Sequence, residues 1–209
     1  METAELLYVA DPMCSWCWGF HRVLSAIEAR LPETVQVRLV LGGLAKDSDE
    51  PMDDRTREYV QRAWDEVEAR TGATFNREFW TACAPRRSTW RSCRAVLAAG
   101  DLGRPMFDAI QRAYYSEARN PSDRDTLIEL AGRLDLDVEG FALALDAPGT
   151  QAELEEHFAL RDRLGARSFP TLVLRRGGRT ETLVRGWAEE SDVATALTAL
   201  GVDLSEAGG

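Results

Sequence analysis

The sequence predicts an α/β fold interrupted by an all-helical insertion, and three observations carry that reading. Two short β-rich runs flank an amphipathic stretch within the first 43 residues. A second pair of β-rich runs, joined by a Gly-Gly turn, lies near the other end. Between them, from Pro51 to about Pro148, the apolar spacing is helical almost throughout.

Leu6-Leu7-Tyr8-Val9-Ala10 is a buried strand that stops at Asp11-Pro12, where proline has no ladder donor. From Ser15, Val23, Ile27 and Leu31 recur at four-residue steps while Glu28 and Arg30 fall on the other side, which is a helix ended by Pro32. Val35 to Leu41 alternates, turns continuously apolar and stops at Gly42-Gly43, a second strand whose helical connection suits a parallel pair. The polar segment Asp47-Ser48-Asp49-Glu50-Pro51 marks a boundary. Helical signals follow at Tyr59, Ala63 and Val67; at Ala95 to Ala99; at Phe107, Ile110 and Tyr114; and at Leu127, Leu130 and Leu134. Ser122 or Asp123 suits the cap of the helix after Asn120-Pro121. Leu154 and Phe158 open a helix running to Gly165, Thr171 to Leu174 reads as a strand led by Pro170, and Gly177-Gly178 turns into a strand at Thr180 to Val184. A helix carrying Val193, Leu197 and Leu200 precedes a Gly-rich tail. The expected division is therefore 1–46 with 150–209 as one domain and 47–149 as the inserted helical domain.

The 209 residues include 44% hydrophobic side chains, enough for an ordinary core without disulfide staples. A net charge of -10, from 25 basic and 35 acidic residues, opposes binding to nucleic acid or an anionic membrane. No apolar run reaches membrane-spanning length, and the opening Met-Glu-Thr-Ala-Glu lacks the basic and apolar regions of an export signal, so the expected location is the cytoplasm. In that reducing compartment the four cysteines, Cys14, Cys17, Cys83 and Cys93, are expected to serve chemistry, metal binding or packing.

Cys14-Ser15-Trp16-Cys17 falls where the first strand gives way to the first helix. Cys14 is expected at the N-cap, beside unpaired amides that favour a thiolate, with Cys17 one turn deeper and placed to resolve a mixed disulfide. The same spacing also suits half a zinc site or two packed thiols. There is, however, no second CxxC, and His21 and His157 are the only histidines. Phe169-Pro170, at the head of a late strand, is a candidate cis bond that would expose the Phe169 backbone to an extended substrate, against an ordinary trans proline. Asp11 reads either as a proton acceptor for Cys17 or as a solvated strand-end carboxylate. Trp16 is expected exposed and Trp18 packed, and His21 solvated or satisfied on its helix, with a shift of the thiol electrostatics as the other reading. Cys83 and Cys93 are expected to be buried, inert thiols, a second dithiol or a Cys93 near the CxxC being the other reading. Arg86, Arg87, Arg91 and Arg94 are expected to form a solvated helix edge, with carboxylate binding as the alternative.

Asp11-Pro12-Met13-Cys14-Ser15-Trp16-Cys17-Trp18-Gly19-Phe20, the helical insertion and Ser168-Phe169-Pro170-Thr171 together resemble the DsbA-like branch of the thioredoxin superfamily, especially its cytoplasmic FrnE-like members. The resemblance covers nearly the whole chain. It implies a thioredoxin-like fold, a central mixed sheet flanked by helices and split by a helical domain. It further implies thiol-disulfide oxidoreductase or isomerase chemistry, with Cys14 attacking, Cys17 resolving and a cis Pro170 facing them. Trp16, Phe169, Ser168 and Pro12 are the implied substrate contacts. No metal or organic cofactor is implied. Partners would be protein or peptide thiols and disulfides, with glutathione as a candidate co-substrate, acting on a monomer or homodimer. Ser15-Trp16 replaces the Pro-His pair of strongly oxidising periplasmic members, which predicts a less oxidising potential. The glutathione transferase kappa and hydroxychromene carboxylate isomerase group shares the insertion but typically has Ser where Cys14 stands. A glutathione-dependent transferase or isomerase is thus the first alternative, and a non-catalytic holdase or metal-binding module the second.

Overall fold

A computed structural model describes residues 3–205, so Met1, Glu2 and the Gly-rich tail from Glu206 lie outside the described residues. Four strands form one mixed sheet in the order β2-β1-β3-β4: β1 (Ala4–Ala10), β2 (Val35–Leu41), β3 (Thr171–Arg176) and β4 (Arg179–Arg185). β1 pairs parallel with β2 and antiparallel with β3, and β3 pairs antiparallel with β4. The β3-β4 turn places Gly177 and Gly178 at φ 55° and 75°, the two left-handed residues a twist-matched two-residue hairpin demands.

The inner strand β1 is apolar on both faces because both are covered. Leu6, Tyr8 and Ala10 join a large core with Phe20, Leu24 and Ile27 of α1 (Ser15–Glu28), while Leu7 and Val9 pack with Val40, Val173 and Ala166. α8 (Pro148–Arg163), with proline at its first turn, covers that second face through Leu160, and α9 (Glu190–Ala199) packs beside α1.

Between β2 and α8 lie α2 (Asp54–Thr71), α3 (Phe79–Ala82), α4 (Trp90–Ala98), α5 (Gly103–Tyr115), α6 (Arg124–Arg133) and α7 (Val138–Leu145). α2 is started by Asp53, whose carboxylate accepts from Thr56 N at 2.7 Å, and ended by Gly72 at φ 70°. Trp64 of α2 is fully buried among Phe75, Trp80, Tyr114 and Tyr115, with ring centroids 4.8 to 5.5 Å away. The two parts meet closely: a Cβ at Gly19 of α1 would stand 2.8 Å from Val67 of α2.

Local differences from the expected pattern have physical causes. α1 ends at Glu28, so Leu31 packs from the following turn. The four-residue α3 is too short to leave a periodic signal. Asp123 takes the N-cap position of α6 but makes no cap hydrogen bond, because its carboxylate pairs with Arg86.

Candidate active site

The turn that ends β1 builds the site. Cys14 N donates to Asp11 O at 3.0 Å, and the Cys14 carbonyl accepts from Trp18 N at 3.0 Å, which starts α1. Cys14 is the N-cap residue, extended at φ -88° and ψ 117°, and no side chain satisfies the first-turn amides beside it. Its side chain is 7% exposed, whereas Cys17, one turn along, is 0% exposed. Neither is disulfide-bonded. Burial pushes the Cys17 thiol well above its ordinary range, and the Cys14 sulfur adds to the effect.

The partner from the far end of the chain is the Phe169-Pro170 segment. The Cys14 thiol points at the Phe169 carbonyl at 3.6 Å, and the Phe169-Pro170 peptide bond is cis. Pro170 is buried, Phe169 half-buried and Ser168 exposed. Pro12 is buried in the turn before Cys14.

Asp11 is not a solvated strand end. It is fully buried, and its carboxylate accepts from Met13 N (2.8 Å), Leu44 N (2.7 Å) and Thr89 Oγ1 (2.7 Å), with the Cys93 thiol at 3.6 Å. Burial raises its proton affinity, and these hydrogen bonds act in the opposite direction. Tyr8 and Tyr115, also fully buried, have their phenols raised by burial, with the two cysteine sulfurs adding to it. The Tyr115 hydroxyl has no hydrogen-bond partner among the described residues.

Trp16 is half-buried rather than exposed, because it is wedged between two clefts. One, of about 150 Å³, is bounded by Cys14, Trp16, Met52, Tyr59, Arg87 and Phe169. The other, of about 550 Å³, lies beyond Trp16 and Phe169, against Ser168, Arg70 and Trp187. Trp18 packs instead: its Nε1 donates to Thr74 O at 3.0 Å and its ring stacks on Tyr115 at 5.6 Å.

The arginine group is not a uniform solvated edge. Arg86 pairs with Asp123, buried Arg94 pairs with Asp47 at 2.7 Å, and Arg91 donates to Ser122 O at 2.9 Å. Only Arg87 is exposed; it lies 5.9 Å over the Tyr59 ring in the cleft wall, with no carboxylate partner among the described residues. Cys83 is half-buried and donates to Ala118 O at 3.1 Å, whereas Cys93 is fully buried beside Asp11. Among the described residues no cluster of three or more His, Cys, Asp or Glu side chains is placed to hold a metal ion.

Thr89 and Leu44 escaped the sequence reading. A threonine 78 positions from the carboxylate it contacts leaves no periodic or motif signal, and Leu44 acts only through its amide.

A family model described as "DSBA-like thioredoxin domain" matches residues 5–203. Among solved structures, a putative protein disulfide isomerase from Nitrosomonas europaea superposes with a TM-score of 0.84 at 26% identity, covering 95% of this chain and 97% of that one. The cytosolic disulfide reductase DsbM from Pseudomonas aeruginosa gives 0.77 at 33% identity over 94% of this chain and 98% of that one, and is also solved with GSH. A curated relative, the ClpXP adapter protein SpxH of Bacillus subtilis, is 21% identical over 174 residues, 81% of this chain. The chain spans only 57% of that relative's length. No helix among the described residues is long and apolar enough to cross a membrane.

Proposed function

The chain belongs to the DSBA-like thioredoxin domain family, and from that premise we propose that it is a cytoplasmic thiol-disulfide oxidoreductase working through Cys14 and Cys17. The observation that carries this reading is the placement of one sulfur at the α1 N-cap, opposite the Phe169 carbonyl, with the second sulfur buried one turn deeper.

In the proposed cycle the Cys14 thiolate attacks a substrate disulfide, whose S–S bond breaks; a Cys14-substrate disulfide forms and the other substrate sulfur leaves as a thiolate that takes a proton from solvent. Cys17 then loses its proton to Asp11 and attacks the Cys14 sulfur. The Cys14-substrate bond breaks, the Cys14-Cys17 bond forms, and the second substrate sulfur leaves and is protonated from solvent. Two electrons pass from the dithiol to the substrate, and a thiol donor reverses the sequence. A buried carboxylate with raised proton affinity is matched to a buried thiol whose proton affinity is also raised.

The 150 Å³ cleft has room for the cysteinyl part of a small thiol such as glutathione, with Arg87 in its wall available to a substrate carboxylate. The structure of DsbM with GSH supports that substrate class. Trp16, Phe169 and Ser168 would line the path of a peptide thiol, whereas Pro12, buried in the turn, lines neither cleft and would act through the position of Cys14. The redox-active group is the cysteine pair itself, so the proposal requires no metal or organic cofactor.

The test is to compare Cys14→Ser with Cys17→Ser. Cys14→Ser is expected to abolish reduction of glutathione disulfide, and Cys17→Ser to accumulate a Cys14-glutathione adduct visible as added mass. Equal residual turnover in both variants contradicts the assigned roles. Full turnover in Cys17→Ser points to a glutathione-dependent transferase or isomerase instead.

A further inference from the structure

The environment of Asp11 is built from two distant parts of the chain. Oδ1 accepts from Met13 N, within the same turn, whereas Oδ2 collects Leu44 N, Thr89 Oγ1 and the Cys93 thiol. Thr89 is the N-cap residue of α4, and Cys93 N donates to its carbonyl at 3.0 Å. Thr89, Ser92 and Cys93 stand at i, i+3 and i+4, so one helix face addresses the Asp11-Met13 turn. From that face Ser92 Oγ reaches Met13 Sδ at 3.3 Å and donates to Pro121 O at 2.9 Å.

The Thr89 hydroxyl has a single proton. Its oxygen accepts from Ala45 N at 3.1 Å, and the proton chooses between Asp11 Oδ2 at 2.7 Å and Ala45 O at 3.4 Å. The Ala45 carbonyl is already served by Thr89 N at 3.0 Å, so the shorter bond to the carboxylate takes the proton.

We propose that Thr89 and Cys93 are positioning residues that hold the Asp11 carboxylate ready to take the Cys17 proton, so that α4 sets the pH at which the dithiol closes. This rests on the reading of Asp11 and Cys17 given under Proposed function.

A carboxylate in a dry site reverts to the neutral acid unless donors stabilise its charge. Burial of the Cys93 thiol raises its own proton affinity, which keeps its hydrogen available to donate. Of the titratable groups, the Cys93 thiol of α4 touches Asp11; Cys17 from α1 and Tyr114 and Tyr115 from α5 are near enough to feel its charge, and Arg94 is near enough to act on Cys93. These thiols and phenols are all neutral when protonated, so among the described residues the ionisation of Asp11 is supported by its hydrogen bonds.

The experiment follows release of the second glutathione after the reduced full-length protein is mixed with excess glutathione disulfide. That step is unimolecular and separates from Cys14 attack by its independence of disulfide concentration. Its rate is measured against pH for the wild type, Asp11→Asn, Thr89→Val, Thr89→Ser, Cys93→Ala and Cys93→Ser. Loss of the Thr89 donor is expected to move the midpoint upward by about one pH unit. Cys93→Ala is expected to move it in the same direction by less, because its contact is longer, and Thr89→Ser and Cys93→Ser are expected to restore it. Should Thr89→Val fail to fold, the Cys93 pair decides the matter.

An unchanged midpoint in Thr89→Val and Cys93→Ala, with the profile altered in Asp11→Asn, overturns this inference while leaving Asp11 as the proton acceptor. A profile indifferent to Asp11→Asn overturns the underlying reading and this one with it.

Discussion

A single methyl group added at Gly42 tests how the two ends of the chain are held together at the site. A Cβ at that position would lie 2.3 Å from Phe169 Cζ and 2.6 Å from each Cε, where carbon atoms ordinarily rest at roughly 3.5–4.0 Å. One partner must therefore move by more than about 1 Å. Gly42 itself is tied down, its N donating to Ala10 O at 2.7 Å and its carbonyl held by Arg161. The half-buried Phe169 is the side that yields, and its carbonyl is the group facing the Cys14 sulfur. Overpacking of this kind costs about 1–3 kcal/mol; a ring with solvent on one side places Gly42→Ala near the lower end, about 2–4 °C in Tm for a chain of this size. Under the proposed function, displacement by ~1 Å of this segment is expected to slow glutathione-disulfide reduction by up to ~100-fold. The measurements are thermal unfolding and steady-state turnover, with two comparators. Gly72→Ala meets open space at φ 70°, so it is expected to lose about 1–2 kcal/mol through its left-handed backbone without losing rate. In a Phe169→Ala background, Gly42→Ala is expected to do no further harm. Wild-type stability and rate in Gly42→Ala, or an undiminished loss when the ring is absent, would show that Phe169 does not press on this position.

Three further outcomes are expected. Trp64→Ala, at the centre of the aromatic cluster of α2 and α5, is expected to cost about 3–5 kcal/mol in urea unfolding, and a loss under ~1 kcal/mol contradicts its central place. His157 accepts from Leu41 N at 3.0 Å, and burial, with Arg38 adding to it, lowers its pKa below the usual 6.5. The unfolded chain then binds a proton that the folded one refuses. Stability from this group is present above that value and is lost as pH falls through it toward the lower folded value, an acid-side loss that His157→Gln is expected to lack. Arg87→Ala is expected to raise KM for glutathione disulfide about fivefold, the equivalent of ~1 kcal/mol for an exposed ion pair, and to leave kcat unchanged; an unaltered KM removes it from the site.

What was legible in the sequence is what depends on neighbours a few positions apart. The strand-to-helix junction at Asp11-Pro12 placed Cys14 at the head of α1, and the three-residue step placed Cys17 one turn deeper. Gly177-Gly178 announced the hairpin through the positive φ both residues take. The arginines show where such reading stops. Arg86, Arg87, Arg91 and Arg94 look alike in sequence, yet Asp123, Asp47 and the Ser122 carbonyl engage three of them and Arg87 is left facing the cleft.

The mixed α/β framework, the cysteine pair and its place in the chain follow from local features, because hydrophobic periodicity, turn chemistry and short spacings are written within a few residues. Tertiary structure alone decided that Asp11 is buried and fully hydrogen-bonded, that Thr89 and Cys93 reach it from another helix, and that Phe169 lies over Cys14. The contacts of Thr89 and Cys93 with Asp11 and of Phe169 with Cys14 join residues 78 to 155 positions apart, and their existence depends on how whole helices pack against the sheet, a property no local window of residues contains.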